Sequence, residues 1–284
     1  VEDKYMGPLI KTVMTRCIQC TRCVRFATEI AGVPEVGAIG RGEDMEITTY
    51  LEQSMTSELS GNVIDLCPVG ALTSRPYAFN ARPWELTKTE TIDVNDAIGS
   101  NIRVDSRSGA VLRIMPRIHE GVNEEWISDK TRFVWDGLAR QRLDKAYVRK
   151  GGKLTAIGWD EALTVAAEKL SGDASKIGVI AGDLNDAEGL KAAKDLFEAL
   201  GVTSLDCRQD GSKLGGGARE GYLFNATIAG IDKADAILLI GTNPRIEAPV
   251  LNARIRQRWL NGKLDIAVIG EAADLTYPYE HLGK

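Results

Sequence analysis

Three cysteines stand within seven residues, Cys17-Ile18-Gln19-Cys20-Thr21-Arg22-Cys23, and a fourth precedes proline in Asn62-Val63-Ile64-Asp65-Leu66-Cys67-Pro68-Val69-Gly70. Four of the five cysteines in the chain therefore belong to one pattern. A C-x2-C-x2-C loop sets three thiolates around one compact inorganic body and leaves a fourth corner to a thiolate from elsewhere, which is what a cubane [4Fe–4S] cluster demands. No hydrophobic pattern in the chain constrains folding as strongly, because residues 17–23 and Cys67 must meet whatever the intervening chain does.

In bacterial-type ferredoxins the run continues as C-x2-C-x2-C-x3-C-P, and its last cysteine serves a second cluster. Here Ala27 stands where that cysteine would follow Cys23, and Ser57, Ser60 and Val63 stand where three thiolates would precede Cys67. One cluster is expected, held by Cys17, Cys20, Cys23 and Cys67. A structural zinc site is the alternative, but zinc ribbons usually divide their ligands two and two, and a three-plus-one division ending in Cys-Pro favours iron and sulfide. A disulfide framework is disfavoured by the odd count, the metal-like spacing and the lack of a secretory leader, which together point to a reducing compartment. Arg16, Arg22 and Arg25 interleave with the cysteines, either as surface charges or as positive charge that favours a reduced cluster.

At 284 residues the chain has room for two domains, or three if one is small. Its 35 basic and 40 acidic side chains give a net charge of −5, which argues against a nucleic acid or an anionic membrane surface as main partner. Apolar runs such as Ala236-Ile237-Leu238-Leu239-Ile240 are of strand length, so no membrane span is expected. The start, Val1-Glu2-Asp3-Lys4, has no initiator Met or targeting segment and reads as a fragment or a processed chain.

Residues 1–86 form the expected ferredoxin-like segment, with one helix after Cys23 and another near Thr48 to Leu59, ending in the proline-punctuated stretch Arg75-Pro76 to Arg82-Pro83-Trp84. Residues 87–148 alternate as strands do, and Asn101-Ile102-Arg103-Val104-Asp105 and Ala110-Val111-Leu112-Arg113-Ile114-Met115 flank a hairpin turn at Ser106-Arg107-Ser108-Gly109. A small β-rich module with an amphipathic segment from Ser128 to Leu138 is expected there. From Arg149 helices and strands alternate: helix Asp160–Leu170, strand Lys176–Ala181, helix Asp186–Leu200 closed by Gly201, strand Ala234–Ile240, helix Glu247–Leu260 and strand Leu264–Ile269. Residues 149–284 are expected to form a truncated Rossmann-like, doubly wound parallel α/β domain. The fold class is thus α/β and α+β multidomain.

The glycine-rich stretch Gly211 to Gly217 and the strand-to-helix turn Gly241-Thr242-Asn243-Pro244-Arg245 invite a nucleotide reading, but neither carries a dinucleotide or P-loop fingerprint, and a tight turn is the expectation. Cys207, alone at a strand end, is expected to pack. His119 and His281 are the only histidines and have no acid at metal or triad spacing. No catalytic residue is expected.

Several longer segments carry a family resemblance: Met14-Thr15-Arg16-Cys17 through Phe26, Ser57-Glu58-Leu59-Ser60-Gly61-Asn62 running into Cys67, Asn123-Glu124-Glu125-Trp126-Ile127-Ser128-Asp129-Lys130-Thr131-Arg132-Phe133, and Gly241 to Arg245. In these the chain resembles the 75-kDa-type large iron–sulfur subunit of NADH:quinone oxidoreductase, respiratory complex I. The resemblance implies a fragment without the family's N-terminal [2Fe–2S] region and without its cluster held by one His and three Cys. It implies an electron-transfer subunit of a proton-translocating oxidoreductase, relaying single electrons through one [4Fe–4S] cluster between flavin and quinone, with no complete substrate site. Its implied partners are the flavin-bearing and downstream iron–sulfur subunits of the peripheral arm. It would sit on the cytoplasmic face of a bacterial inner membrane or the matrix side of the mitochondrial one. The carboxyl part resembles molybdopterin oxidoreductases without their cofactor, so no molybdopterin is expected. The alternative is a molybdenum- or tungsten-pterin oxidoreductase of the formate dehydrogenase type.

Overall fold

The computed structural model describes residues 2–182, 184–208, 211 and 217–284. Contacts divide the chain into two compact units, one made of residues up to Arg140 together with Phe224–Lys284, the other of Gln141–Leu223. The three successive segments expected from sequence differ from this partition, which separates residues 224–284 from the stretch before them. No helix among the described residues is long and apolar enough to cross a membrane.

The cysteine-bearing segment runs through β1 (Ile10–Thr12), α1 (Arg22–Arg25), β2 (Val36–Ile39), β3 (Glu46–Thr49), α2 (Asn62–Leu66) and β4 (Leu72–Ser74). β1 pairs antiparallel with β4, setting Thr12 opposite Leu72, and so brings the chain entering the Cys17 loop beside the chain leaving Cys67. The helix expected after Cys23 is present: α1 continues as a π-helical turn, Phe26–Ala31. This turn buries Phe26, Ala27 and Ala31 against Met6, Ile10, Met14, Val36, Ile47 and Val63. Gly32 ends it at φ 72°, and a Cβ there would meet the Arg256 guanidinium at 2.7 Å, so glycine is needed for backbone conformation and for space.

The helix expected near Thr48 to Leu59 does not form. β3 reaches Thr49, opposite Val36 of β2, with Ile47 and Thr49 turned inward. Leu51 then adopts φ 46°, which breaks any helix. The Glu35 carboxylate accepts from the Thr56 and Ser57 amides, at 2.8 and 3.2 Å to its Oε2, supplying the acceptors that helical carbonyls would have provided.

β5 (Thr87–Ile92), β6 (Asn101–Arg107) and β7 (Ala110–Pro116) form a three-stranded antiparallel sheet. The expected hairpin joins β6 to β7 through Ser108 and Gly109, at φ 51° and 79°, a two-residue turn with positive φ at both positions. α3 (Asp129–Phe133) is capped by Ser128, whose Oγ accepts from the Thr131 amide, and a 3-10 turn, Val134–Ala139, completes the expected amphipathic segment.

The second unit opens with a hairpin, β8 (Ala146–Lys150) and β9 (Lys153–Ile157), that the helix-and-strand expectation had not included. It continues with α4 (Trp159–Leu170), β10 (Gly178–Ile180), α5 (Ala187–Ala199) and β11 (Ser204–Asp206), with β10 and β11 parallel. Asp186 caps α5 and Gly201, at φ 78°, follows its end, as expected. Apart from Val202, the hydrophobic side chains of this unit are partly or fully exposed among the described residues.

Back in the first unit, β12 (Ala236–Ile240), α6 (Pro244–Glu247), α7 (Pro249–Leu260), β13 (Asp265–Ile269) and β14 (Glu280–Gly283) complete the chain. β12, β13 and β14 are parallel in that order, so the parallel pairing expected of this half occurs in two separate sheets. α7 joins two cores: Val250 and Ala253 pack with the cysteine-bearing segment, and Ile255 packs with Leu239, Ile266 and Val268.

Asp105 of β6 has no exposed surface and is held by Arg103 at 2.8 Å and Arg113 at 2.7 Å. Burial works to raise its pKa, but the hydrogen bonds and positive charges of the two guanidiniums together outweigh burial and hold the carboxyl below the ordinary range. A depressed folded-state pKa contributes stability that is complete above the unfolded value, about 3.9, and is lost as pH falls through the folded value. Asp105→Asn is expected to cost about 1.5–3 kcal/mol at neutral pH. Thermal unfolding followed by circular dichroism should also show the variant losing less stability than the parent as the solution is acidified below about pH 4.

Candidate metal centre

Local backbone geometry aims the thiols. Cys17 closes a 3-10 turn, Met14–Arg16, by donating its amide to the Met14 carbonyl. Gln19 and Thr21, on either side of Cys20, adopt φ 47° and 59°, a conformation that turns the chain sharply twice within the loop. Cys23 lies in α1, whose first turn is closed by the Arg25 amide on the Thr21 carbonyl at 2.9 Å. Cys67 ends α2 with its amide on the Val63 carbonyl at 3.1 Å, and Gly70, at φ 65°, turns the chain into β4.

These elements bring together the four cysteines singled out from the sequence. Cys17, Cys20, Cys23 and Cys67 line one small cavity with Met14, Ile47, Val69 and Leu72. Cys20 is exposed, while Cys17, Cys23 and Cys67 are half-buried and pack on the main core. The Leu72 amide donates to Cys67 Sγ at 3.4 Å, the kind of N–H···S contact that stabilises a metal-bound thiolate. Among the described residues, no three His, Cys, Asp or Glu side chains converge as ligands of one bare ion do. Burial pushes the Cys23 thiol up to about 11, with a smaller push from Cys17 and Cys20. Four thiolates around one cavity need cations among them, so the all-thiolate donor set fits iron and sulfide.

Arg16, Arg22 and Arg25 are all exposed, and Arg22 also lines the cavity. Sequence reasoning missed the support behind Cys67. Asn62, 1% exposed, donates to the Leu59 and Ile127 carbonyls at 2.9 and 2.8 Å and accepts from the Ile127 amide at 3.2 Å and from Arg132 at 3.3 Å. Arg132 also reaches Asp65 at 2.6 Å, and Asp129 accepts from Ser60 Oγ at 2.5 Å and the Gly61 amide at 2.6 Å. Burial holds Asp129 above the ordinary carboxylate range despite those bonds. The one signal in the sequence is the polar Asn62 heading the turn Asn62–Leu66, beside the apolar Val63 and Ile64, just before Cys67.

The remaining motifs have other uses. In the Gly241–Arg245 turn, Thr242 Oγ1 and the Asn243 amide both donate to the Glu247 carboxylate at 2.8 Å, and Arg245 pairs with Glu58 at 3.0 Å and Asp274 at 2.7 Å. The chain's own acids thus occupy the donors that a phosphate would use. Residues 212–216 of the glycine-rich stretch lie outside the described residues. Cys207, expected to pack, is exposed, because β11 carries no buried position. His119 anchors a turn through its backbone with Glu124, and His281 Nε2 lies 2.8 Å from the Gly270 carbonyl.

Three family models match the chain. NADH-quinone oxidoreductase subunit 3, ferredoxin-like domain, matches residues 7–73; NADH-ubiquinone oxidoreductase NDSU1/NuoG-like, 4Fe-4S domain, matches 86–136; molybdopterin oxidoreductase matches 142–284. Residues 86–136 contain no cysteine, so this second match supplies no thiolate. Similar curated proteins include the mitochondrial NADH-ubiquinone oxidoreductase 78 kDa subunit of Neurospora crassa, 58% identical over 100% of this chain and 39% of its own length. A subunit of the NADH-quinone oxidoreductase of Rickettsia bellii is 56% identical over 100% of the chain and 42% of its own length. The mitochondrial NADH dehydrogenase [ubiquinone] iron-sulfur protein 1 of Solanum tuberosum is 54% identical, with 100% and 39% covered. The chain therefore spans about two-fifths of the length of these relatives.

Exposure orders the thiols chemically. In cluster-free protein, Cys20 and Cys207 are expected to alkylate with iodoacetamide before Cys17, Cys23 and Cys67. Peptide mass spectrometry over a time course checks this ranking.

Proposed function

The chain belongs to the molybdopterin oxidoreductase family over residues 142–284 and, as a whole, with the large iron–sulfur subunits of NADH:quinone oxidoreductase, and we propose that it relays single electrons through one [4Fe–4S] cluster held by Cys17, Cys20, Cys23 and Cys67. The observation that carries this reading is that these four thiols, forty-odd residues apart in sequence at their widest gap, line one cavity. Bound there, a [4Fe–4S] cluster gives and takes one electron at a time. The chain's own residues do the rest: four thiolates fix its position, the Leu72 amide offsets charge on Cys67 Sγ, and Met14, Ile47, Val69 and Leu72 limit water. Such levers act within the range of roughly −700 to +450 mV open to iron–sulfur clusters.

One cluster and no molybdopterin is the composition we propose. Residues 68–206 contain no cysteine for another cluster, and the turn that could hold a phosphate is filled by Glu247. The partners proposed are the flavin-bearing and downstream iron–sulfur subunits of the same oxidoreductase. The proposed place is peripheral, on the cytoplasmic face of a bacterial inner membrane or the matrix side of the mitochondrial one. The relatives' names, subunits of NADH-ubiquinone and NADH-quinone oxidoreductases from mitochondria and a bacterium, support a place within such an assembly.

Metal and sulfide analysis of anaerobically purified protein, with low-temperature EPR after dithionite reduction, tests the reading. About four irons with matching acid-labile sulfide are expected for one cubane, and Cys17→Ser or Cys67→Ser should lose most of that iron and the signal. Zinc without iron would make the site structural. Stoichiometric molybdenum or tungsten with a pterin would move the chain to the formate dehydrogenase type of enzyme.

A further inference from the structure

We propose that the ion pair between the buried Arg132 and the exposed Asp65 sets the reduction potential at the four-cysteine site, with Arg132 as a positioning residue for Cys67. This rests on the reading that the four cysteines hold an iron–sulfur cluster. Asp65 stands two residues before Cys67 on α2, and Arg132 grips α2 twice, at Asn62 Oδ1 and at Asp65 Oδ2. Gly61 makes room for it, since a Cβ there would lie 2.8 Å from Arg132 Cδ and 2.9 Å from its Nε.

Packing alone does not account for an arginine here. Its side chain is 5% exposed, and its Nε has no hydrogen-bond partner among the described residues. Burying a guanidinium with one orphaned N–H carries a desolvation cost that a single surface partner offsets only in part. The arrangement does supply charge beside a redox site. Reduction adds one negative charge, so a nearby cation favours the reduced state and a nearby anion opposes it. Asp65, whose side chain is 25% exposed, is screened more than Arg132, so its removal should shift the potential less.

Opposite shifts follow for the two partners. In the cluster-loaded chain, EPR-monitored redox titration of Arg132→Gln should give a lower midpoint potential, by up to a tenfold change in the reduction equilibrium, about 59 mV for one electron. Asp65→Asn should give a smaller rise, and the double variant a value between the two. Arg132→Lys keeps the charge but cannot grip Asn62 and Asp65 together. Its potential should therefore stay near the parent's, while iron is lost faster to a chelator, the sign of a loosened Cys67. Because Arg132→Gln leaves Asp65 unpaired and could unfold the segment, Asp65→Asn, nearer the surface, carries the decisive titration. A parent chain that holds its cluster, with no rise in potential in Asp65→Asn, overturns this inference and leaves the relay reading standing. Lower iron content with an unchanged potential in all variants reduces the pair to a structural role and overturns it too. A parent chain that takes up no iron overturns both.

Discussion

A single buried amide ties the cysteine-bearing segment to chain that comes more than sixty residues later. Asn62 has two N–H donors and one carbonyl with two lone pairs, and all are used: toward Leu59, Ile127 twice, and Arg132. An apolar residue in its place would leave the Ile127 amide and carbonyl without partners in a dry interior, each at a cost of about 1–3 kcal/mol. Asp129 repeats the device one turn away by accepting from Ser60 and Gly61. The position of Cys67 is therefore fixed by the segment between Ile127 and Arg132 as much as by its own neighbours.

The other half of the site is held in a similar way from further along the chain. Arg256 of α7 donates to the Thr28 carbonyl at 3.0 Å and the Glu29 carbonyl at 3.2 Å, closing the carbonyl end of the turn that follows Cys23, and it bonds the Thr276 carbonyl as well. Burial lowers its pKa, yet an arginine stays charged at neutral pH, which suits it to carbonyls that carry the negative end of a helical turn. Phe26 of that turn lies 4.9 Å, centroid to centroid, from Trp126, one residue before Ile127. The two routes of support meet there, so that Cys23 and Cys67 rest on one continuous body of packed chain.

What could be read from the sequence divides along the range of the interactions involved. The grouping of the four cysteines was legible from their motifs, three within seven residues and one before proline, and the structure places them around one cavity. Also legible were the Ser108-Gly109 hairpin and α5, whose turn residues, Asp186 cap and Gly201 stop act within a few positions. The helix expected near Thr48 to Leu59 failed because Glu35, over twenty residues upstream, takes the amides of Thr56 and Ser57. β1 and β4, three residues each, exist only because they pair with one another. Arg132, Asn62 and Arg256 were invisible as site residues because a polar residue bonded to distant carbonyls looks, in sequence, like any surface side chain.

In the carboxyl half, the strand-to-helix turn after β12 is engaged by the chain's own side chains. After β12 the turn has the placement that phosphate sites exploit, with Gly241 at φ 60° and amides directed past the strand end. Glu247, only a few residues on, puts a carboxylate there, and Arg245 is drawn away to Glu58 and Asp274. Glu58 also offers its backbone carbonyl to the Asp129 amide at 2.8 Å, next to the residues that hold α2. Arg245 thus braces the segment leading to Cys67. The turn thus supports the segment that carries Cys67, through contacts made by the chain's own side chains.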